Sequence, residues 1–151
     1  MAGKLQFELV SPERLLLSQE VGMVVVPGSE GNFGVLPGHA LFISSVRPGV
    51  IDVYEDGMPN VSERIFVSGG FAEVTPERCT VLADEAVPIE SLDRAAIEAR
   101  AKTAEATIAG LREQAQRLAG AERDEMLSRL RAAERQQAVD AAKLAALGAV
   151  H

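Results

Sequence analysis

From Leu5 to about Ala86, apolar positions recur with the two-residue period of a strand. Leu5, Phe7 and Leu9 alternate with Gln6, Glu8 and Val10. Further runs follow in VGMVVVP, GVLPGHALFI, GVIDVYE, ERIFVSG, FAEVT and CTVLADEA, each bounded by Gly, Pro, Asp or Ser. This spacing predicts about ten short antiparallel strands. Asp56-Gly57 after IDVYE is a hairpin signal, and Pro76-Glu77 separates FAEVT from CTVLA. No helical crossover lies between the strands, so the sheet must stack or close on itself as a sandwich or barrel.

After Pro88 the period changes from two to about 3.6, and Ala, Glu, Arg and Leu dominate. The chain therefore divides into an α+β arrangement, a β-sandwich over 1–88 and a helical hairpin over 89–151. Ser91 is the expected N-cap, with Asp93 in the first turn, where a negative charge meets the positive helix end. Ile97, Ala101, Ala104, Ile108, Leu111, Ala115 and Leu118 alternate steps of four and three, which is a heptad stripe that needs a second helix against it. The stripe breaks around Gly120, and the hairpin turn falls between Gly110 and Gly120. A second segment from about Ala121 to Leu147 carries Leu127, Leu130, Ala133, Ala141 and Leu144 on a weaker face, which predicts an antiparallel hairpin. Alanine contacts bury little area, so this hairpin gains less than a leucine-rich one and is able to open.

Composition and charge narrow the function. Apolar residues make up 47% of the 151 residues but aromatic residues only 4%, so the core is filled by Val, Leu, Ile and Ala. The net charge of −7 argues against a nucleic-acid or anionic-membrane surface, both of which demand a basic face. The acidity sits in one half: residues 1–90 hold 5 basic and 13 acidic side chains, a net −8, whereas residues 91–151 hold 10 and 9, a net +1. Arg123, Arg129, Arg131 and Arg135 concentrate in the second helix, as either a solvated face with spaced ion pairs or a dock for an acidic partner. The lone Cys79, inside the apolar run CTVLA, reads as a buried small hydrophobe in a reducing compartment. No run reaches the ~20 apolar residues that span a bilayer, and MAGKLQF lacks a signal core, so a cytosolic location is expected.

No catalytic constellation emerges. The histidines are His39 and His151, there is no Cys/His ligand cluster, and GSEGNFG has no lysine and leads into a strand rather than a helix, which excludes a phosphate loop. Asp84 and Glu85 are adjacent in an expected strand, where neighbouring side chains point to opposite faces. Ser68-Gly69-Gly70 lacks the frame of a nucleophile elbow. What stands out is PGSEGNFGVLPGHA, Pro27 to Ala40, with four glycines and two prolines. Such punctuation builds a shaped loop that either connects a hairpin or meets a partner closely.

That loop, followed by RPGVI, VSGGFAEV and CTVLADEA in the same order, resembles the epsilon subunit of bacterial F-type ATP synthases from about Phe7 into the start of the hairpin. The resemblance implies a sandwich of two five-stranded sheets, a C-terminal helix-turn-helix, and a non-catalytic role. Such a subunit belongs to the central stalk of the F1 sector at the cytoplasmic face of the bacterial inner membrane. It rotates with the gamma subunit and the c-subunit ring, coupling proton-driven rotation to ATP synthesis. By the same resemblance Glu30, Gly31, Asn32 and His39 contact the c ring, although Asn32 stands where relatives carry an acid and so weakens an ionic contact. His39 is expected to anchor the loop by hydrogen bonding rather than to carry a catalytic proton. Ser11 and strand residues of one sandwich face lie against gamma. The hairpin can extend into the alpha/beta hexamer, with Arg123, Arg129, Arg131 and Arg135 facing acidic loops of beta and blocking ATP hydrolysis. Some relatives bind ATP through [IL]DxxRA; here Leu92-Asp93-Arg94-Ala95-Ala96-Ile97 puts Ala96 at the arginine position, so no bound nucleotide or other cofactor is expected. The rival reading is a free-standing β-sandwich binding module that self-associates through its helices.

Overall fold

A computed structural model describes residues 3–149 and divides into two compact units, Met1–Ser91 and Leu92–His151; His151 itself lies outside the described residues. Ten strands build the first unit: β1 Leu5–Val10, β2 Leu15–Val21, β3 Met23–Gly28, β4 Gly31–Val35, β5 Phe42–Val46, β6 Gly49–Tyr54, β7 Glu63–Val67, β8 Gly70–Val74, β9 Arg78–Ala83 and β10 Ala86–Pro88. They are hydrogen-bonded in the order β10-β7-β6-β3-β5-β8-β9-β1-β2, with β4 on β3. The β3–β5 link is the single pair Gly28↔Val46. At that narrow neck the ladder folds over into two five-stranded layers, which is the expected sandwich.

Alternation sets the layers facing each other. In β1, Leu5, Phe7 and Leu9 are buried while Gln6, Glu8 and Val10 are half-buried. Val24, Val26, Ile51, Val53, Val74 and Val81 join them in one aliphatic core. Cys79 belongs to the same core, and burial pushes its thiol up to about 12. Every strand pair is antiparallel except β1 and β9, which run parallel. The chain between them passes through both layers, so a parallel pair forms here without a helical crossover.

Three local expectations change. GVLPGHALFI is not one strand but the end of β4, a loop and the start of β5. Asp84 and Glu85 lie in a bend between β9 and β10 rather than in a strand; Asp84 N–H donates to Gly69 O at 3.2 Å, and Glu85 O accepts from Ser68 N–H at 3.0 Å. Strand β2 has no counterpart in the period-two pattern, because Leu15, Leu16 and Leu17 follow one another without alternation.

The second unit holds α1, Arg94–Arg117, and α2, Gly120–Ala149, joined at Leu118-Ala119. Asp93, not Ser91, caps α1: its Oδ1 accepts from Ala96 N–H at 3.2 Å, while Ser91 ends a short 3-10 turn over Ile89–Ser91. The stripe on α1 faces inward as its spacing demands, with Ile97, Ile108 and Ala115 buried and Ala101, Ala104, Leu111 and Leu118 half-buried. On α2, Leu130 is buried and Leu127, Ala133 and Leu144 are half-buried, but Ala141 is exposed. The inward row passes instead through Gln137 and Asp140, polar residues that an apolar stripe does not reveal.

Candidate functional site

Strands β3 and β4 pair in full register from Val24↔Val35 to Gly28↔Gly31, leaving Ser29-Glu30 as a two-residue turn. Gly31 closes it at φ +135°, a conformation that L side chains rarely adopt, with nothing packed against its Cβ position. The turn projects Glu30 into solvent. Arg47, just past β5, holds its base: the guanidinium donates through Nη1 to Gly28 O and through Nη2 to Asn32 Oδ1 at 2.6 Å, while Arg47 N–H donates to Pro27 O at 2.9 Å. Ser29 N–H adds a bond to Ser45 O at 3.0 Å.

Aromatic packing extends this end of the sandwich. Phe33 meets Phe42 edge-on at 5.1 Å, and the His39 ring tilts against Phe42 at 6.2 Å. His39 Nδ1 lies 2.7 Å from Ala40 O; a carbonyl only accepts, so Nδ1 carries the proton. His39 N–H donates to Leu36 O at 3.1 Å. The ring is thus fastened to its own loop. Glu30, Gly31, Asn32 and His39 are brought to one end, with Phe33 and Phe42 between them, and a shallow groove runs past Glu30, Asn32, Phe33, Phe42, Ser44 and Ser45.

Ser11 lies elsewhere, in the β1–β2 turn, where its N–H donates to Arg14 O at 2.9 Å and its hydroxyl meets the Arg14 backbone. It directly follows a cross-strand row on the outward face of β8, β9, β1 and β2. Phe71 pairs with Leu82, Leu82 with Val10, and Val10 with Leu15. Phe71, Leu82 and Leu15 are 59%, 43% and 54% exposed. Together with Val10 they form an exposed apolar row across four strands. Sequence reasoning passed over Phe71, Leu82 and Arg47; the first two sit at the solvent positions of their strands, and Arg47 lies outside the glycine-rich loop.

On α2, Arg123, Arg129, Arg131 and Arg135 are all exposed; Arg129 pairs with Glu125 at 3.0 Å, and Arg131 and Arg135 stand one turn apart. Arg94 reaches Glu98 at 3.9 Å and Arg100 reaches Asp140 at 2.8 Å, so both cations beside the Ala96 position have carboxylate partners. Among the described residues, no group of three or more His, Cys, Asp or Glu side chains forms a metal cluster, and no helix is long and apolar enough to cross a membrane.

Residues 4–89 match the family model described as ATP synthase, Delta/Epsilon chain, beta-sandwich domain. The ATP synthase epsilon chain of Rhodospirillum centenum is 66% identical over 101 residues, covering 65% of this chain and 69% of that one. That of Parvibaculum lavamentivorans is 48% identical over 131 residues, covering 87% and 98%. A chain of the Euglena gracilis mitochondrial ATP synthase, solved as an OSCP/F1/c-ring assembly, superposes with a TM-score of 0.63 at 23% identity, covering 95% of this chain and 81% of that one; at this identity the likeness speaks to fold.

Proposed function

Since the chain belongs to the ATP synthase delta/epsilon family, we propose that it is the non-catalytic epsilon chain of a bacterial F-type synthase. It forms part of the central stalk and turns with gamma and the c ring. The observation that carries this reading is the family match over the whole sandwich, joined to two outward surfaces with the chemistry of partner contacts. The row Phe71, Leu82, Val10 and Leu15, with Ser11 at its edge, is the gamma surface. The turn Glu30-Gly31-Asn32, backed by His39, is the foot on the c ring, where Glu30 meets a basic ring residue in a partly desolvated contact. The subunit sits peripherally at the cytoplasmic face of the membrane, carried there by the assembly.

Its helices do not require a second copy, since the inward stripe of α1 has α2 as its partner. A stalk subunit turning between two partners needs a rigid body, and the sealed aliphatic core supplies one. The arginines of α2 support a further part of the reading, an inhibitory contact with acidic loops of beta when the hairpin extends. Deleting residues 121–151 from the reassembled enzyme then raises ATP hydrolysis, and unchanged hydrolysis removes that part.

The gamma surface is tested by co-purification. Phe71→Glu places a charge at the β8 end of the row, at a position open enough to leave the sandwich folded. Retained circular dichroism with at least about tenfold weaker gamma binding is expected, equivalent to about 1.4 kcal/mol. Undiminished co-purification by Phe71→Glu and Leu82→Glu alike would overturn the assignment.

A further inference from the structure

The turn that carries Glu30 is held by the β3–β4 ladder and by one backbone bond of its own, Ser29 N–H to Ser45 O at 3.0 Å. Ser29 and Glu30 are exposed, and no group packs on the Cβ position of Gly31. It also stands at the neck between the two layers, where Gly28↔Val46 is, among the described residues, the only strand pair joining them. Besides the Phe33–Phe42 ring contact, one polar side chain crosses that neck. Arg47 leaves the end of β5 in one layer and forks onto Gly28 O and Asn32 Oδ1, one on each strand of the hairpin in the other layer. A planar fork fixed at two points sets direction as well as distance, which a single bond to an ammonium does not.

We infer that Arg47 is the positioning residue of the foot, and that Asn32 serves as its anchor rather than as a ring contact in its own right. This rests on the reading of the turn as a c-ring contact. The amide oxygen of Asn32 is occupied by Arg47, so its outward chemistry is reduced to the amide N–H groups, and Glu30 remains the acid that faces the partner. The neutral amide also leaves the Arg47 charge unneutralised beneath the turn, where it opposes a basic group approaching anywhere but at Glu30. Arg47 thereby does two things: it aims the hairpin tip, and it confines the attractive spot to one residue. The ring residue it selects for is cationic and reaches Glu30 end-on.

The test uses the complete synthase with Ser29→Cys as a reporter and a cysteine in the polar loop of the ring subunit, Cys79 being buried. Disulfide formation between them is timed in the parent and in Arg47→Met, Arg47→Lys and Asn32→Ala backgrounds, alongside gamma co-purification and the melting temperature of the free subunit. Freeing one backbone position of the turn corresponds to about a tenfold slowing. The expected result is that slowing in Arg47→Met and in Arg47→Lys, which keeps the charge but loses the fork. Asn32→Ala slows in the same direction, Arg47→Met/Asn32→Ala is no slower than Arg47→Met alone, and gamma binding is retained. A parent rate in Arg47→Met overturns the inference, as does loss of gamma binding in step with the crosslink, since that marks a merely structural role. Absence of a crosslink even in the Arg47 parent refutes the ring-contact reading itself, a separate failure.

Discussion

Exchanging Arg100 for Met should destabilise the hairpin more than its half-exposed position suggests. Asp140 is 1% exposed, with Oδ1 accepting from Arg100 Nη2 at 2.8 Å and from Gln136 Nε2 at 3.3 Å, and Oδ2 accepting from Arg100 Nε at 3.4 Å. Burial by itself would raise the Asp140 pKa. The bonds and charge of Arg100, the bond from Gln136 and the Lys143 charge outweigh that and hold the carboxyl below its usual range. Met keeps the apolar stem of Arg100 and removes the guanidinium, so the loss reports on the contacts of that group rather than on apolar packing. Breaking a fully buried pair costs about 3–5 kcal/mol. The Arg100 side chain is 52% exposed, so solvent screening brings the expectation down to about 1–3 kcal/mol.

Pairing Arg100→Met with Asp140→Leu should recover that loss or exceed the parent, since replacing both ions of a buried pair with apolar groups is often neutral or stabilising. The pH dependence has a definite sign. A depressed native pKa contributes stability that is complete above the unfolded value of about 3.9 and is lost as pH falls through the native value. In Arg100→Met the carboxyl takes up its proton at higher pH than in the parent, so the deficit seen at neutral pH narrows on acidification. Urea unfolding followed by far-ultraviolet circular dichroism reads the helices directly. A neutral-pH midpoint unchanged in Arg100→Met, or a double variant weaker than either single one, would refute the reasoning.

Three further outcomes are expected. Gly70→Ala should cost about 3 kcal/mol or more in denaturant unfolding: Gly70 has φ +147°, and an added Cβ would lie 1.8 Å from Leu82 O, a backbone atom that cannot step aside. Asp93→Ala should cost about 0.5–2 kcal/mol through the lost bond to Ala96 N–H, whereas Ser91→Ala should cost little, measured by helix melting. The thiol of Cys79 keeps its proton in the native state up to about 12, against an unfolded value near 9.0. Stability should therefore fall by about 1.4 kcal/mol per pH unit above the unfolded value, and equal alkaline slopes for the parent and Cys79→Val would contradict it.

Strand alternation made the sandwich legible because its inward residues are almost all aliphatic, and where a strand lacks alternation, as at Leu15–Leu17, the pattern is silent. The helices were legible from the stripe on α1, but Asp140 escaped because a polar residue at an inward position looks like a surface residue until its partner forty positions away is known. Arg47 escaped for a related reason, since its partners Gly28 and Asn32 are brought to it only when the ladder folds at the neck. Phe71 and Leu82 are apolar residues at outward positions, and only the register between strands reveals that they form one row. Local pattern reports which face is buried; long-range partners decide which exposed or polar residues matter.

The two units use polar groups in different ways, and the difference bears on what each can do. In the sandwich, hydrophobic burial is continuous and Arg47 adds direction at one edge. In the hairpin, alanines leave an open groove of about 610 Å3 past Ala96, Arg100, Thr103, Ala104, Ala133 and Asp140, so packing discriminates weakly between alignments of the two helices. The Arg100–Asp140 pair discriminates strongly. Sliding α2 by one heptad would bring Ala133 or Leu147 opposite Arg100 and so break the pair in either direction. A pair that adds little net stability can still exclude slipped registers, because the penalty falls on the misaligned states. The hairpin thus has one preferred alignment of its helices even though its alanine seam is only weakly sealed.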